Sequence, residues 1–359
     1  MRLGYDLISR CRENREKLCY TETNSQNIIE RENTMASKIC DGVYTFKITL
    51  PENPLRSLNC YVILGEKGGR NLIIDTGFRR PECQRALEKG MEELDIDPAV
   101  TDVFITHSHS DHSGNAQWLI SRGCRAIMGR VDHGIVLNPR SDLNRQRTLA
   151  EGMPKELVQY ALLDNPAIKF APGPFEAMEA DAGDVMSYGG FQLECVCMPG
   201  HTPGHMCLYE RRHKMMFLGD HILFDITPNI TYWAGFDDEL GQYLESLKRI
   251  RSYDIDIALP GHRSMGMTTV EDRANALLAH HKARLMETRR VIQENPGISA
   301  YDAAGLMTWR IRSKNWEEFP KGQKWFAMGE AAARLEYLNK QNLISIHMDD
   351  NGILRYFPR

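Results

Sequence analysis

From position 43 onward the chain breaks into short apolar runs separated by glycine, proline and polar turns. Val43 to Ile48 reads as a strand of a hairpin that begins near Ile39. Cys60 to Leu64 and Asn71 to Ile74 are strands joined through the Gly68-Gly69 turn. Residues 81–94 have the Glu, Leu, Ala and Met character of a helix, Val100 to Ile105 is the next strand, and Arg125 to Met128 another. Strand signals then stop until about Val185. The segment 131–180 is broken by Pro139, Pro154, Pro166, Pro172 and Pro174 and carries one clear helix, Glu156 to Leu163. A helical insertion between two β-rich halves is placed to act as a lid over a site. Strands resume at Phe191 to Cys197, Met206 to Tyr209 and Lys214 to Leu218, followed by a helix at 240–251 and a strand at Ile257 to Leu259. The halves 40–130 and 185–265 are expected to pair as two facing sheets.

Beyond Thr268 the pattern changes. Val270 to Glu294 is a long helix that stops at Asn295-Pro296-Gly297. Ser299 and Asp302 are spaced as a capping box, 329–341 is a third helix, and Asp349-Asp350-Asn351-Gly352 turns a terminal hairpin. Three helices and a hairpin suggest a winged-helix-like module over 269–359, after a 35–268 domain that carries the chemistry. Residues 1–34 are polar and lack a sustained pattern; they read as a disordered or non-native extension with Met35 as the true start.

Composition narrows the function classes. The 359 residues carry a net charge of -4, which gives no whole-protein attraction to nucleic acid. No apolar run approaches a membrane span, and the N-terminus lacks the apolar core of a signal peptide. Nine cysteines, an odd number without CxxC pairs, point to free, mostly buried thiols in a reducing cytoplasm. Cys195 and Cys197 alternate along one strand and are expected on a core face.

The chemistry concentrates in Thr106-His107-Ser108-His109-Ser110-Asp111-His112, between a strand end and a helix near Ala116 to Ile120. Imidazole and carboxylate together suit zinc, iron or manganese. His107 and His109, two apart, point the same way from an extended segment, while Asp111 and His112 follow the turn and face a second point. That is the logic of two metals sharing one loop. His201 is a candidate further ligand of the first metal, Asp220 could bridge both through its two oxygens, and His262 would complete the second. Asp75 ends a buried strand before a Thr-Gly turn, where turn capping is the simpler role. Asn229, Tyr232 and Trp233 follow the Asp220 loop as candidate substrate contacts. His133, His205 and His221 are further candidates for supporting or substrate contact, with His205 placed as structural.

The ordered series Asp75-Thr76-Gly77, His107 to His112, Pro199-Gly200-His201, Gly219-Asp220 and Pro260-Gly261-His262 resembles the metallo-β-lactamase-fold hydrolase superfamily over about residues 40–265. The resemblance implies an α+β, four-layer αβ/βα sandwich with its site at one edge. It implies a first metal on His107, His109, His201 and Asp220 and a second on Asp111, His112, Asp220 and His262. Asp75 would accept hydrogen bonds that orient a ligand histidine. The ligands look most like the glyoxalase II branch; binuclear zinc β-lactamases commonly have Cys where Asp220 stands, which argues against antibiotic hydrolysis.

Two divalent ions, zinc before iron or manganese, imply a metal-held hydroxide that attacks a small ester, thioester or lactone, with Asp111 as a catalytic carrier of the leaving group's proton. Two alternatives stand beside this. One is a ribonuclease: residues 271–359 carry 14 Lys and Arg against 11 Asp and Glu, and Trp309, Trp316 and Trp325 lie among Arg310, Arg312, Lys314, Lys321 and Lys324. The other is a mononuclear iron dioxygenase. The diiron oxygen reductases carry Glu where His109 stands and an added flavin domain, neither of which is found here. A small-molecule substrate is favoured over nucleic acid, no membrane partner is expected, and a homodimer is compatible with the chain.

Overall fold

A computed structural model describes residues 35–359, positions 164, 267, 311 and 312 excepted. The expectation for residues 1–34 lies outside the described residues. Residues Ala36–Arg359 form one unit. Its first sheet runs in the spatial order β1 (Ser37–Cys40), β2 (Val43–Thr49), β3 (Ser57–Ile63), β4 (Asn71–Ile74), β5 (Thr101–Ile105), β6 (Arg125–Gly129) and β7 (Met178–Ala180). The second runs β12 (Ile257–Pro260), β11 (Met215–Gly219), β10 (Met206–Glu210), β9 (Phe191–Cys197) and β8 (Val185–Tyr188). Short connections make most neighbours antiparallel, whereas β4, β5, β6 and β7 in the first sheet and β11 and β12 in the second pair in parallel because a longer crossover separates each from the next.

The sheets face each other across one apolar layer. Val43, Ile63, Phe104 and Ile127 from the first sheet cluster with Leu193, Leu208, Met215 and Phe217 from the second. Central strands β5, β10 and β11 are buried along their whole length, as continuous apolar runs require when helices cover the outer faces. Outside the first sheet, the helix Pro81–Glu93 buries Leu87 and Met91. Outside the second, the helices Glu239–Ile250 and Val270–Glu294 bury Tyr243, Leu247, Ala274 and Leu277. The sheets also meet where β12 runs beside β3. There the Asn59 amide nitrogen and the Tyr61 hydroxyl donate to the Pro260 carbonyl at 2.9 and 2.7 Å, and the Asn59 N–H donates to the Gly261 carbonyl at 2.7 Å.

Most boundaries fall where the pattern puts them, and the departures have physical reasons. The three-residue strand β7 lies in a segment read as free of strands. It has no alternation to betray it, and backbone pairing to β6 holds it in place. The last helix spans Lys321–Lys340 and starts straight after Pro320, well before residue 329. Thr269 and Ser299 cap the helices that follow them, their hydroxyls accepting from the Asp272 and Asp302 N–H groups. The insertion is helical, with segments at Arg130–Leu137, Ser141–Ala150 and Lys155–Leu163. Its Met153 and Val158 share a core with Ile292, Ala303, Leu335 and Tyr356 of the C-terminal region. Trp309, Trp316 and Trp325 pack against this same core. Trp309 also donates its indole N–H to the Ala304 carbonyl and lies under the guanidinium groups of Arg284 and Arg334. Among the described residues no helix is long and apolar enough to cross a membrane, and the seven described cysteines are free, five of them buried.

Glu239, at the start of the helix Glu239–Ile250, is buried, and burial pushes its carboxyl up to about 8, helped by the charges of Glu336, Asp237 and Asp238. Between its ordinary 4.5 and about 8 the folded chain holds a proton that the unfolded chain has lost. The stability this group contributes is therefore present below pH 4.5 and is lost as pH rises through about 8. Glu239→Gln removes that dependence. Its stability relative to wild type should rise by on the order of 3 kcal/mol between about pH 5 and about pH 9. Urea denaturation at both values checks this, and a pH-independent difference would contradict it.

Candidate metal centre

Five loops leave the ends of β4, β5, β9, β11 and β12 at the same edge of the sandwich. They carry Asp75, the segment His107–His112, His201, Asp220 and His262. Strand ends fix these loops because the strands themselves are locked in the core. His109 immediately precedes the short helix Ser110–Ser113, and the Ser113 hydroxyl donates back to its carbonyl at 2.9 Å. The Thr76 N–H and hydroxyl both donate to the His112 carbonyl at 2.8 Å, so the Asp75 turn and the histidine loop form one framework. Gly261 admits the close approach of β12: a Cβ there would lie 2.6 Å from Asp220 Oδ1 and 2.8 Å from His112 Cε1.

Three groups of donor atoms result, with all members of each group within 4.8 Å of one another: His107, His109 and His201; His107, His112 and Asp220; Asp111, His112 and His262. Asp220 stands between them. Its Oδ1 is 3.5 Å from His112 Nε2, and its Oδ2 is 3.7 Å from His201 Nε2 and 3.6 Å from His262 Nε2. Asp111 Oδ2 is 3.2 Å from His262 Nε2.

The ring nitrogens behind the cluster show which atoms face its centre. His201 Nδ1 donates to the Asn229 carbonyl and His262 Nδ1 to the Ser57 carbonyl, both at 2.8 Å. His112 Nδ1 donates to Asp75 Oδ2 at 2.7 Å. A carbonyl can only accept, so the Nε2 atoms of neutral His201 and His262 carry lone pairs. His112 Nε2 and His262 Nε2 lie 3.1 Å apart, and His107 Nε2 lies 3.1 Å from His109 Nδ1. His201 Nε2 and Asp220 Oδ1 are buried without a hydrogen-bond partner. Lone pairs and carboxylate oxygens converging in a buried space fit a divalent cation.

The electrostatics agree. Burial and then the neighbouring imidazoles push His107 well below the usual histidine range. Burial and then His201 bring His109 down to about 3. On Asp111 burial is outweighed by His262 and His112, which hold it at about 2, and the same two histidines hold Asp220 lower still. His112 and His262 move the other way: burial opposes their charge, but Asp75 and Asp220 overcome it for His112, and Asp220 and Asp111 do so for His262. The carboxylates thus favour charge on those two rings, a balance that a bound cation would take over.

All seven candidate ligands are thus brought together, and Asp75 does more than cap a turn. The expected substrate contacts separate. Asn229 turns its carbonyl to His201 and its side-chain nitrogen to Glu330 Oε1, 2.7 Å away. Tyr232 is buried, its hydroxyl 2.6 Å from Thr148 Oγ1 in the insertion. Trp233 stacks on His109, with ring centroids 5.7 Å apart, and borders a cleft of about 430 Å³ shared with Leu143, Arg147, Phe236 and Glu336. His205 is buried and stacks on His107, and its Nε2 accepts the Asp220 N–H at 3.1 Å. His221 packs between His205 and Tyr243. His133 contacts Glu179 and the Phe175 carbonyl instead.

One residue escaped the sequence reading. Asp132 is buried and accepts the Ser108 N–H at 2.7 Å and the Gly204 N–H at 2.6 Å, tying the histidine loop to the His201 loop. Its only local signal is an acidic residue in the first turn of the helix Arg130–Leu137, which ordinary helix chemistry explains.

Fold and site together define a sandwich-type hydrolase with a metal-binding edge. The chain belongs to the metallo-beta-lactamase superfamily, whose model matches residues 54–262. It is 27% identical over 213 residues to the atrochrysone carboxyl ACP thioesterase of Emericella nidulans, a match covering 59% of this chain and 53% of that protein, so it spans about half of that relative's length. It is 29% identical over 225 residues to the hydroxyacylglutathione hydrolase GloC of Haemophilus influenzae, covering 61% of this chain and 92% of that one. Among solved structures, a metallo-beta-lactamase family protein from Thermus thermophilus shares the fold with a TM-score of 0.76 at 24% identity, over 90% of this chain and 100% of its own. A beta-lactamase domain protein from Burkholderia ambifaria gives 0.74 at 25% identity, over 90% and 93%.

Proposed function

We propose that this chain is a two-metal hydrolase of small thioesters, with esters and lactones as related substrates. The observation that carries the reading is the convergence of buried imidazole nitrogens on Asp220, whose two oxygens face different histidines. In this reading His107, His109, His201 and Asp220 would hold one ion, and Asp111, His112, His262 and Asp220 would hold a second. Zinc suits this nitrogen and oxygen set. Bound divalent ions supply an acidified water and a Lewis acid for the scissile carbonyl.

The chain's own groups do the rest. Asp75 and the Ser57 and Asn229 carbonyls fix the tautomers of His112, His262 and His201. Asp111, kept ionised beside His262, can take a proton and pass it to the departing thiolate or alkoxide. The cleft beside Trp233 has the size of a small-ligand site and would take the acyl group. Relatives named as a thioesterase and a hydroxyacylglutathione hydrolase support thioester chemistry. We read the C-terminal region 269–359 as support for this site, because its tryptophans pack into the core it shares with the insertion and with Tyr232.

The test is elemental analysis of protein purified without chelator, alongside thioester, lactone and RNA panels on the same sample. About two zinc ions per chain with thioester turnover that a chelator abolishes is the expected result. One iron with oxygen consumption, or RNA cleavage alone, would overturn it. Because His112 and His262 give up protons when ions bind, turnover should fall from about pH 8 to about pH 5 and recover in part with excess zinc.

A further inference from the structure

The stretch from His221 to Asp238 forms neither helix nor strand, yet it supplies the carbonyl that orients His201. Its own backbone offers little to hold it; hydrogen bonds within it are represented by the Phe236 N–H to the Trp233 carbonyl. The C-terminal helices contact it from outside at several places, among them an acceptor in Glu336 for the Asp238 N–H at 3.2 Å. Arg273, in the helix Val270–Glu294, donates to the Leu223 carbonyl at 2.6 Å and the Ile226 carbonyl at 2.7 Å. Gly329, in the helix Lys321–Lys340, lies so close to Thr231 that a Cβ would sit 2.2 Å from its hydroxyl oxygen. One residue further on, Glu330 Oε1 accepts the side-chain N–H of Asn229 at 2.7 Å. Glu330 is fixed in turn by Arg334, one helical turn later, which is only 3% exposed and donates to Oε2 at 2.5 Å.

We propose that Glu330 is a positioning residue for the metal centre, acting through Asn229 on His201. The connected path is Arg334 to Glu330, Glu330 to the Asn229 side chain, and the Asn229 carbonyl to His201 Nδ1. It runs 101 residues along the chain from Asn229 to Glu330 and joins the C-terminal region to a single imidazole. Pulling the Asn229 carbonyl into place keeps the proton on His201 Nδ1 and the lone pair of Nε2 turned inward. Outer hydrogen-bond partners of ligand histidines act in this way, and their loss costs roughly 10–100-fold in metal affinity. The inference rests on the two-metal reading above.

Three variants of the full chain test it: Glu330→Ala, Glu330→Gln and Asn229→Ala. The readouts are zinc affinity by competition with a chromophoric chelator and the thermal midpoint of the metal-free protein. Glu330→Gln keeps an oxygen for the Asn229 amide and should bind zinc nearly as tightly as wild type. Asn229→Ala breaks the path while leaving the Glu330–Arg334 pair intact. It should weaken zinc binding by about 10-fold or more with the metal-free midpoint nearly unmoved. Glu330→Ala should weaken zinc binding similarly and also lower the midpoint, since Arg334 is left buried without its carboxylate. Wild-type affinity in Asn229→Ala overturns the inference, as does a loss in Glu330→Gln equal to that in Glu330→Ala. A wild-type chain that takes up no zinc would remove the two-metal reading itself, an outcome distinct from either of these.

Discussion

Replacing Asp220 with alanine is expected to lower kcat/KM for a thioester by about 10³-fold or more. The carboxylate is buried, faces three histidines and is held ionised against burial by His262 and His112. If it contacts both ions, its loss opens both coordination shells together. Metal-assisted stabilisation of the reacting oxygens is worth several kcal/mol, and at about 1.4 kcal/mol per decade the stated loss follows. Metal content should fall in the same variant, because each remaining group of donors is left short of a ligand. Steady-state kinetics with elemental analysis on the same preparation checks both. Turnover within about tenfold of wild type would sink the bridging role.

Asp75→Ala should cost stability even with no metal present. Asp75 Oδ1 accepts the Thr106 N–H at 2.8 Å, while Oδ2 accepts the Thr106 hydroxyl at 2.8 Å and His112 Nδ1 at 2.7 Å. All these groups are buried, and an unsatisfied buried donor costs about 1–3 kcal/mol. Asp75 also has φ of 64°, a left-handed backbone that aspartate tolerates better than alanine. Together these give an expected loss of about 5 kcal/mol, in the range reserved for broken buried networks. Zinc affinity should fall as well, because His112 loses the partner that fixes its ring. Urea unfolding of the metal-free variant measures the first effect, and a loss under about 1 kcal/mol would show that the network is not what holds this turn.

The candidate ligands could be picked out in the sequence because each lies close to a strand end. A run such as Val103-Phe104-Ile105 fixes where the strand stops, and the next few residues must then lie at the sheet edge. The same holds for Phe217-Leu218 before Asp220 and Leu259-Pro260 before His262. The helix start at Ser299 was legible for a local reason too, since a cap and its target are three residues apart. What the pattern could not carry was tertiary. Asp132 serves two amides from different loops, and Glu330 acts on a residue 101 positions away, so neither leaves a mark at short spacing. Asn229 was placed near the site on proximity to Asp220, but its hydrogen-bond partners depend on a helix that the sequence does not connect to it. The basic, tryptophan-rich stretch left two roles open in the sequence, a stacking surface and, more usually, a packing face; Trp309, Trp316 and Trp325 pack against the core in the fold.

His107 to His112 come from the first sheet, whereas His201, Asp220 and His262 come from the second. No single half can therefore assemble either set of donors. Cut between β7 and β8, the protein would become two pieces that are each poor chelators and that regain the complete sites only by docking face to face. Ion uptake would then report reassembly of the split halves, and added zinc would act as a selective adhesive between them.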